Sequence, residues 1–203
     1  MKRLYFFISC FLFLNIPPAS AQDAPLLFVP NEGQWEQSFL YKGVASFADI
    51  YLENSGVTYV VGDGDNIPKM EAFKENPGPV DQPVVLKYHT YKMKWLGANP
   101  QPKTIPAKQQ SYYLNFYLGN NPQRWKSNVN VYGNVDYQDV YPHIDVHFSS
   151  DKGHAKYDFI VKPGGDPAHI QLAFEGLDGI KIEKGNLLLQ TSVGVIREIQ
   201  PYA

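Results

Sequence analysis

Cysteine is almost missing: the 203 residues contain one, Cys10, inside an early apolar run. Beyond it there is no thiol for a disulfide, a thiolate zinc site or a cysteine nucleophile. Charge of one sign is also scarce. The 18 Lys+Arg face 20 Asp+Glu, and no basic run occurs. That excludes a nucleic-acid binder, whose affinity rests on clustered cations. No apolar run reaches the roughly 20 residues needed to span a bilayer, so no membrane span is expected. No stretch of twelve residues has a 3.6-residue apolar period with caps, so little helix is expected. What the chain does have is aromatic side chains: 14 Tyr, 12 Phe and 3 Trp, in a sequence that is 44% hydrophobic. Such a composition describes a folded globular body and names no chemistry.

The first 21 residues read as a secretory signal peptide. Met1-Lys2-Arg3 is cationic, Leu4 to Leu14 is apolar apart from Ser9, and Pro17-Pro18 breaks the run. Ala19-Ser20-Ala21 then offers a small-x-small cleavage site before Gln22. Cleavage leaves 182 of the 203 residues, with Lys2 and Arg3 gone, and that remainder has no cysteine. No Asn-x-Ser/Thr sequon is present. An exported protein with neither disulfides nor sequons suits a Gram-negative bacterium, at the cell surface, outside the cell or in the periplasm.

Residues 22–203 read as a single all-β domain, an antiparallel β-sandwich or barrel-like body of many short strands. Phe47 to Leu52 and Val57 to Val61 flank Asn54-Ser55-Gly56, a hairpin signal. Val84 to Trp95 alternates with a phase slip near Thr90, which a strand shows at a β-bulge or where one face hands over to another partner. Alternating runs such as Ile144-Val146-Phe148, Tyr157-Phe159-Val161 and Ile170-Leu172-Phe174 follow, separated by Gly/Pro/Asp turns. Short helical turns are expected near Asn121 to Lys126 and Asp166 to His169. Residues 62–82 and 97–110, rich in Gly, Pro and polar residues, are expected to be mobile loops.

Few residues invite chemistry. His143, Asp145 and His147 stand at i, i+2 and i+4, which a strand projects onto one face as a divalent-metal set. The same alternation equally describes a solvated face opposite Ile144, Val146 and Phe148. Gly62-Asp63-Gly64-Asp65-Asn66 resembles a calcium loop, but Pro68 and Lys74 occupy the positions that need Gly and Glu. Asp139, Asp145, Asp158, Glu175 and Asp178 stand in no hydrolase signature, and neither a Gly-x-Ser-x-Gly elbow nor a phosphate loop occurs. Trp35, Trp95 and Trp125 are candidate sugar platforms. Trp125, set among Gln123, Arg124, Lys126 and Ser127, is the one the sequence favours as exposed. No cofactor is indicated.

Several strings carry a family resemblance. They are Phe28-Val29-Pro30-Asn31-Glu32-Gly33-Gln34-Trp35, Asn115 to Val129, Val140 to Val146, Lys156 to Pro167, Ile170 to Gly176, and Gln200-Pro201-Tyr202-Ala203. Their order resembles an uncharacterised N-terminal domain of large Bacteroidota-type secreted and surface proteins. There it precedes β-propeller-type (SBBP) repeats, PKD- or Ig-like modules and type IX, gliding-motility-associated sorting domains. The resemblance implies no catalytic residues, and it implies a small turn residue where His143 stands. It also implies continuation past Ala203, so this chain is expected to be a piece, a truncated form or a stand-alone version of such a protein. The expected function is a non-catalytic extracellular module serving structure or adhesion, in contact with sister modules or with an extracellular protein or glycan. Two other readings stand beside it: a glycan-binding module using exposed aromatics, and a metal-dependent hydrolase built on His143, Asp145 and His147.

Overall fold

The computed structural model describes residues 25–45, 47–64, 66, 69 and 85–202, together with the backbone of 6–14. The described residues are nearly all strand, arranged as a strongly curled antiparallel half-barrel with a small second sheet. In chain order the strands are β1 (Phe6–Leu14), β2 (Leu27–Pro30), β3 (Tyr41–Ala45), β4 (Ala48–Glu53), β5 (Gly56–Gly62), β6 (Tyr88–Trp95) and β7 (Lys103–Phe116). The others are β8 (Lys126–Tyr141), β9 (Ile144–Asp151), β10 (His154–Val161), β11 (Leu172–Glu175), β12 (Gly179–Glu183), β13 (Asn186–Thr191) and β14 (Gly194–Glu198). Their spatial order is β11-β6-β5-β4-β3-β2-β8-β9-β10-β1-β14-β13-β12, with β7 paired to β8 off this path.

Alternation sets which face is buried. In β4, Ala48, Ile50 and Leu52 point inward while Asp49, Tyr51 and Glu53 point outward. In β5, Val57, Tyr59 and Val61 point inward while Thr58 and Val60 point outward. The inward rows meet in one core with Phe28, Tyr91, Met93, Trp95, Tyr137, Val146, Phe148, Tyr157 and Phe159. Leu189 and Ile196 from the small sheet join it. Each fully buried aliphatic such as Leu52 or Val57 contributes about 1.5–3 kcal/mol. Tyr59 and Tyr91 stack within the core with centroids 4.8 Å apart.

Two local expectations change. Most of 97–110 is not loop, because β7 begins at Lys103; its polar side chains face outward while its backbone pairs with β8. Residues 62–82 lie largely outside the described residues. The phase slip near Thr90 is no bulge either: β5 and β6 pair without a break from Gly56↔Lys94 to Gly62↔Tyr88, and Tyr88 simply faces solvent. The two short turns expected are 3-10 helices, Pro122–Arg124 and Pro167–His169, each capped by the side chain of the preceding Asn121 or Asp166.

Candidate functional site

The outward faces of β3 to β6 form a cleft of about 600 Å³, walled at one end by the loop between β2 and β3. Cross-strand register lines up one row of its floor: Lys42 opposes Tyr51, Tyr51 opposes Thr58, and Thr58 opposes Lys92. Trp35 and Phe39 complete the wall, with Gln37 and Ser38 between them.

The loop is held by two amide side chains from the Pro30-Asn31-Glu32-Gly33-Gln34-Trp35 string. Gln34 is fully buried; its Oε1 accepts from the Glu32 amide at 2.7 Å and its Nε2 donates to the Pro30 carbonyl at 2.7 Å. Asn31 Oδ1 accepts from the Gly33 amide at 3.1 Å, and its Nδ2 donates to the Gln37 carbonyl at 2.8 Å. Gly33 takes the left-handed turn between them, at φ 102°. This frame fixes Trp35 against Phe116 (5.0 Å, edge-on) and Phe39 (5.4 Å), and Phe39 against Tyr51 (4.9 Å, edge-on). An ion pair from Glu36 to Arg124 ties the loop to the 3-10 turn that precedes Trp125.

Charges in the cleft are mutually balanced. Lys42 Nζ lies 2.8 Å from Asp49 and 5.4 Å above the Tyr51 ring, and the Tyr51 hydroxyl donates to Asp49 at 3.1 Å. Glu53 accepts from Thr58 at 2.6 Å and from Lys92 at 2.9 Å. Burial, reinforced by the Asp49 carboxylate, holds the Tyr51 phenol above its ordinary pKa. Burial alone would lower that of Lys42, but its bond and attraction to Asp49 outweigh this and raise it. Tyr51 is therefore neutral and Lys42 charged at neutral pH. The floor offers donors and acceptors, and each of its two lysines is ion-paired with a carboxylate of β4.

The three tryptophans part company. Trp95 is core, 3% exposed. Trp125 is 43% exposed, edge-on to Tyr117 at 5.8 Å, with its indole N–H donating to the Gly119 carbonyl at 3.3 Å. Trp35 is the one at a cleft. The sequence pointed to Trp125 and missed Phe39, Lys42, Tyr51, Glu53, Thr58 and Lys92. The signal was present: the hairpin at Asn54-Ser55 fixes the register that sets Tyr51 opposite Thr58.

His143, Asp145 and His147 do not gather. The strand begins only at Ile144, and the turn before it carries His143 out of line, in the left-handed region at φ 60° with its ring against Gly164. That is a backbone position suited to a small residue. Asp145 lies 2.7 Å from Lys162, while His147 Nδ1 bonds Asp136. Among the described residues no group of three or more His, Cys, Asp and Glu is placed to hold a metal ion. Of the carboxylates considered for hydrolysis, Asp139, Asp145, Asp158 and Glu175 each ion-pair with a lysine. Asp63 forms a turn with Asn66, whose amide donates to it at 2.9 Å.

The chain belongs to the DUF7948 family, a domain of unknown function, whose family model matches residues 28–203. The loop of Asn31 and Gln34 and every strand of the cleft lie within the match. No curated protein and no solved structure matches the chain.

Proposed function

We propose that this DUF7948 chain is an exported, non-catalytic binding module of a bacterial surface protein, and that its β3–β6 cleft holds a neutral glycan. The single observation that carries the reading is the cleft's make-up. An aromatic wall of Trp35, Phe39 and Tyr51 stands beside a polar floor whose charges cancel. Sugar rings present apolar C–H faces to aromatic rings and hydroxyls to paired donors and acceptors. A charged ligand of either sign would meet a like charge there beside the opposite one, since each lysine is already paired with a carboxylate. The signal-like leader supports export. The likeness of the quoted strings to domains that precede SBBP repeats and type IX sorting domains supports a place at the start of a surface protein in a Bacteroidota-type bacterium. Adhesion would then follow from glycan contact rather than from an enzymatic step.

The reading is tested by retention of the purified protein on a panel of insoluble and gel-embedded neutral and charged polysaccharides, alongside tryptophan fluorescence. Retention on neutral members with a fluorescence change is the expected result. Failure to bind every member, with fluorescence unchanged, would sink it.

A further inference from the structure

β1 occupies a place that the export reading empties. Its Phe6 to Phe11 pair antiparallel with Val161 to Lys156 of β10, and Leu12 to Leu14 pair with Glu198 to Ile196 of β14. The other neighbour of β10 is β9, and that of β14 is β13. If residues 1–21 are removed on export, these two strands lose their shared partner together. Removing β1 leaves the backbone of β10 and β14 unpaired along strands whose Tyr157, Phe159, Val161 and Ile196 belong to the core, so the opened edges border the core directly.

We infer that the processed chain carries a strand-accepting slot between β10 and β14, filled by an extended, uncharged, largely apolar segment of a partner polypeptide. The inference rests on the export reading above. The segment seated there shows the chemistry accepted: nine residues, Phe-Phe-Ile-Ser-Cys-Phe-Leu-Phe-Leu, without a charge. On β10 the charges along the slot balance one another, Lys156 with Asp158 at 2.9 Å. An uncharged strand therefore fits better than a charged one. Backbone bonds to both edges would supply affinity, and alternate side chains selectivity, as in strand addition generally.

The test uses protein exported and processed by a Gram-negative host, with the N-terminus fixed by mass. A Lys156→Cys variant is mixed with a synthetic peptide of residues 4–15 carrying Cys10→Ser and Phe11→Cys, its cysteine activated as a pyridyl disulfide so that exchange releases thiopyridone, since Phe11 opposes Lys156. The expected result is a disulfide formed at least tenfold faster than with the peptide whose cysteine remains at position 10. On the unaltered processed protein, the natural peptide is expected to slow amide exchange in β10 and β14. Cross-linking no faster than with a scrambled peptide would overturn the inference. So would β10 amides fully protected without peptide, or a processed protein that closes its own edges as a dimer in sedimentation. Retention of Met1 would overturn the export reading and the slot together. Failure of glycan binding alone would leave the peptide results intact, because the cleft lies on β3–β6.

Discussion

Gln34 is an uncharged polar side chain with no exposure to solvent, and its two hydrogen bonds go to the backbone of its own loop. Replacing it by Ala removes the partners of the part-buried Glu32 amide and Pro30 carbonyl, each such bond contributing about 0.5–1.5 kcal/mol, and leaves the space of a buried side chain unfilled. Gln34→Ala is expected to lower unfolding free energy by about 2–3 kcal/mol, read from urea denaturation, and to weaken glycan retention by freeing Trp35. Glu198 is another buried polar residue, 2% exposed. Burial pushes its carboxyl from the ordinary 4.5 up to about 7, against the opposing hydrogen bond from Tyr157. Below pH 4.5 both folded and unfolded chains hold this proton; between there and about 7 only the folded chain does. Its contribution to stability is therefore full in acid, falls as pH rises through that window and levels off above it. Glu198→Gln is expected to flatten this decline in the full chain, and to raise stability at pH 8 by about 1–3 kcal/mol, measured by thermal unfolding at pH 5 and pH 8. Neither role could be read from sequence. A buried Gln and a surface Gln look alike there, and Glu198 sits in an ordinary alternating run.

At the scale of elements, the β4–β5 hairpin is what the sequence shows most openly. Asn54-Ser55 sit between strands of clean alternation, and Glu53 pairs with Gly56. Gly56 has a second duty, invisible in the sequence: a Cβ there would lie 2.2 Å from the Met93 carbonyl oxygen of β6. Because the obstacle is backbone, Gly56→Ala is expected to destabilise by about 3 kcal/mol or more, checked by urea denaturation of the purified variant. β7 is the opposite case. Its Lys103-Thr104-Ile105-Pro106-Ala107-Lys108 start reads as loop because none of its side chains is fully buried, Thr104 to Ala107 being half-buried and the two lysines exposed. It is ordered instead by the backbone ladder to β8, and as an edge strand it tolerates Pro106. Local pattern reports burial, and a strand exposed on its faces escapes it. The His143 turn escapes for a related reason: a strand's start decides which side chains share a face, and sequence places that start only to within a residue or two.

For the whole molecule, the all-β class and the curled antiparallel sheet follow from short alternating runs and Gly/Pro turns. The site does not, since it joins a loop at 31–40 to strands at 41–62 and 88–95 and to the turn at 122–124. The two strings most distinctive in the sequence, Asn31 to Trp35 and Gln123-Arg124-Trp125, meet through the Glu36–Arg124 ion pair. Exposed ion pairs of this kind add little stability, so their use here is to orient the loop. Trp125 looked the better platform because its neighbours are polar, yet Trp35 stands at the cleft. The most direct measurement is the affinity of the unaltered protein, Trp35→Ala and Trp125→Ala for whichever neutral polysaccharide retains the protein, by affinity electrophoresis. A loss of tenfold or more in Trp35→Ala, with Trp125→Ala within twofold of the unaltered protein, is the expected result. Equal affinity in Trp35→Ala and the unaltered protein would contradict a glycan site in this cleft.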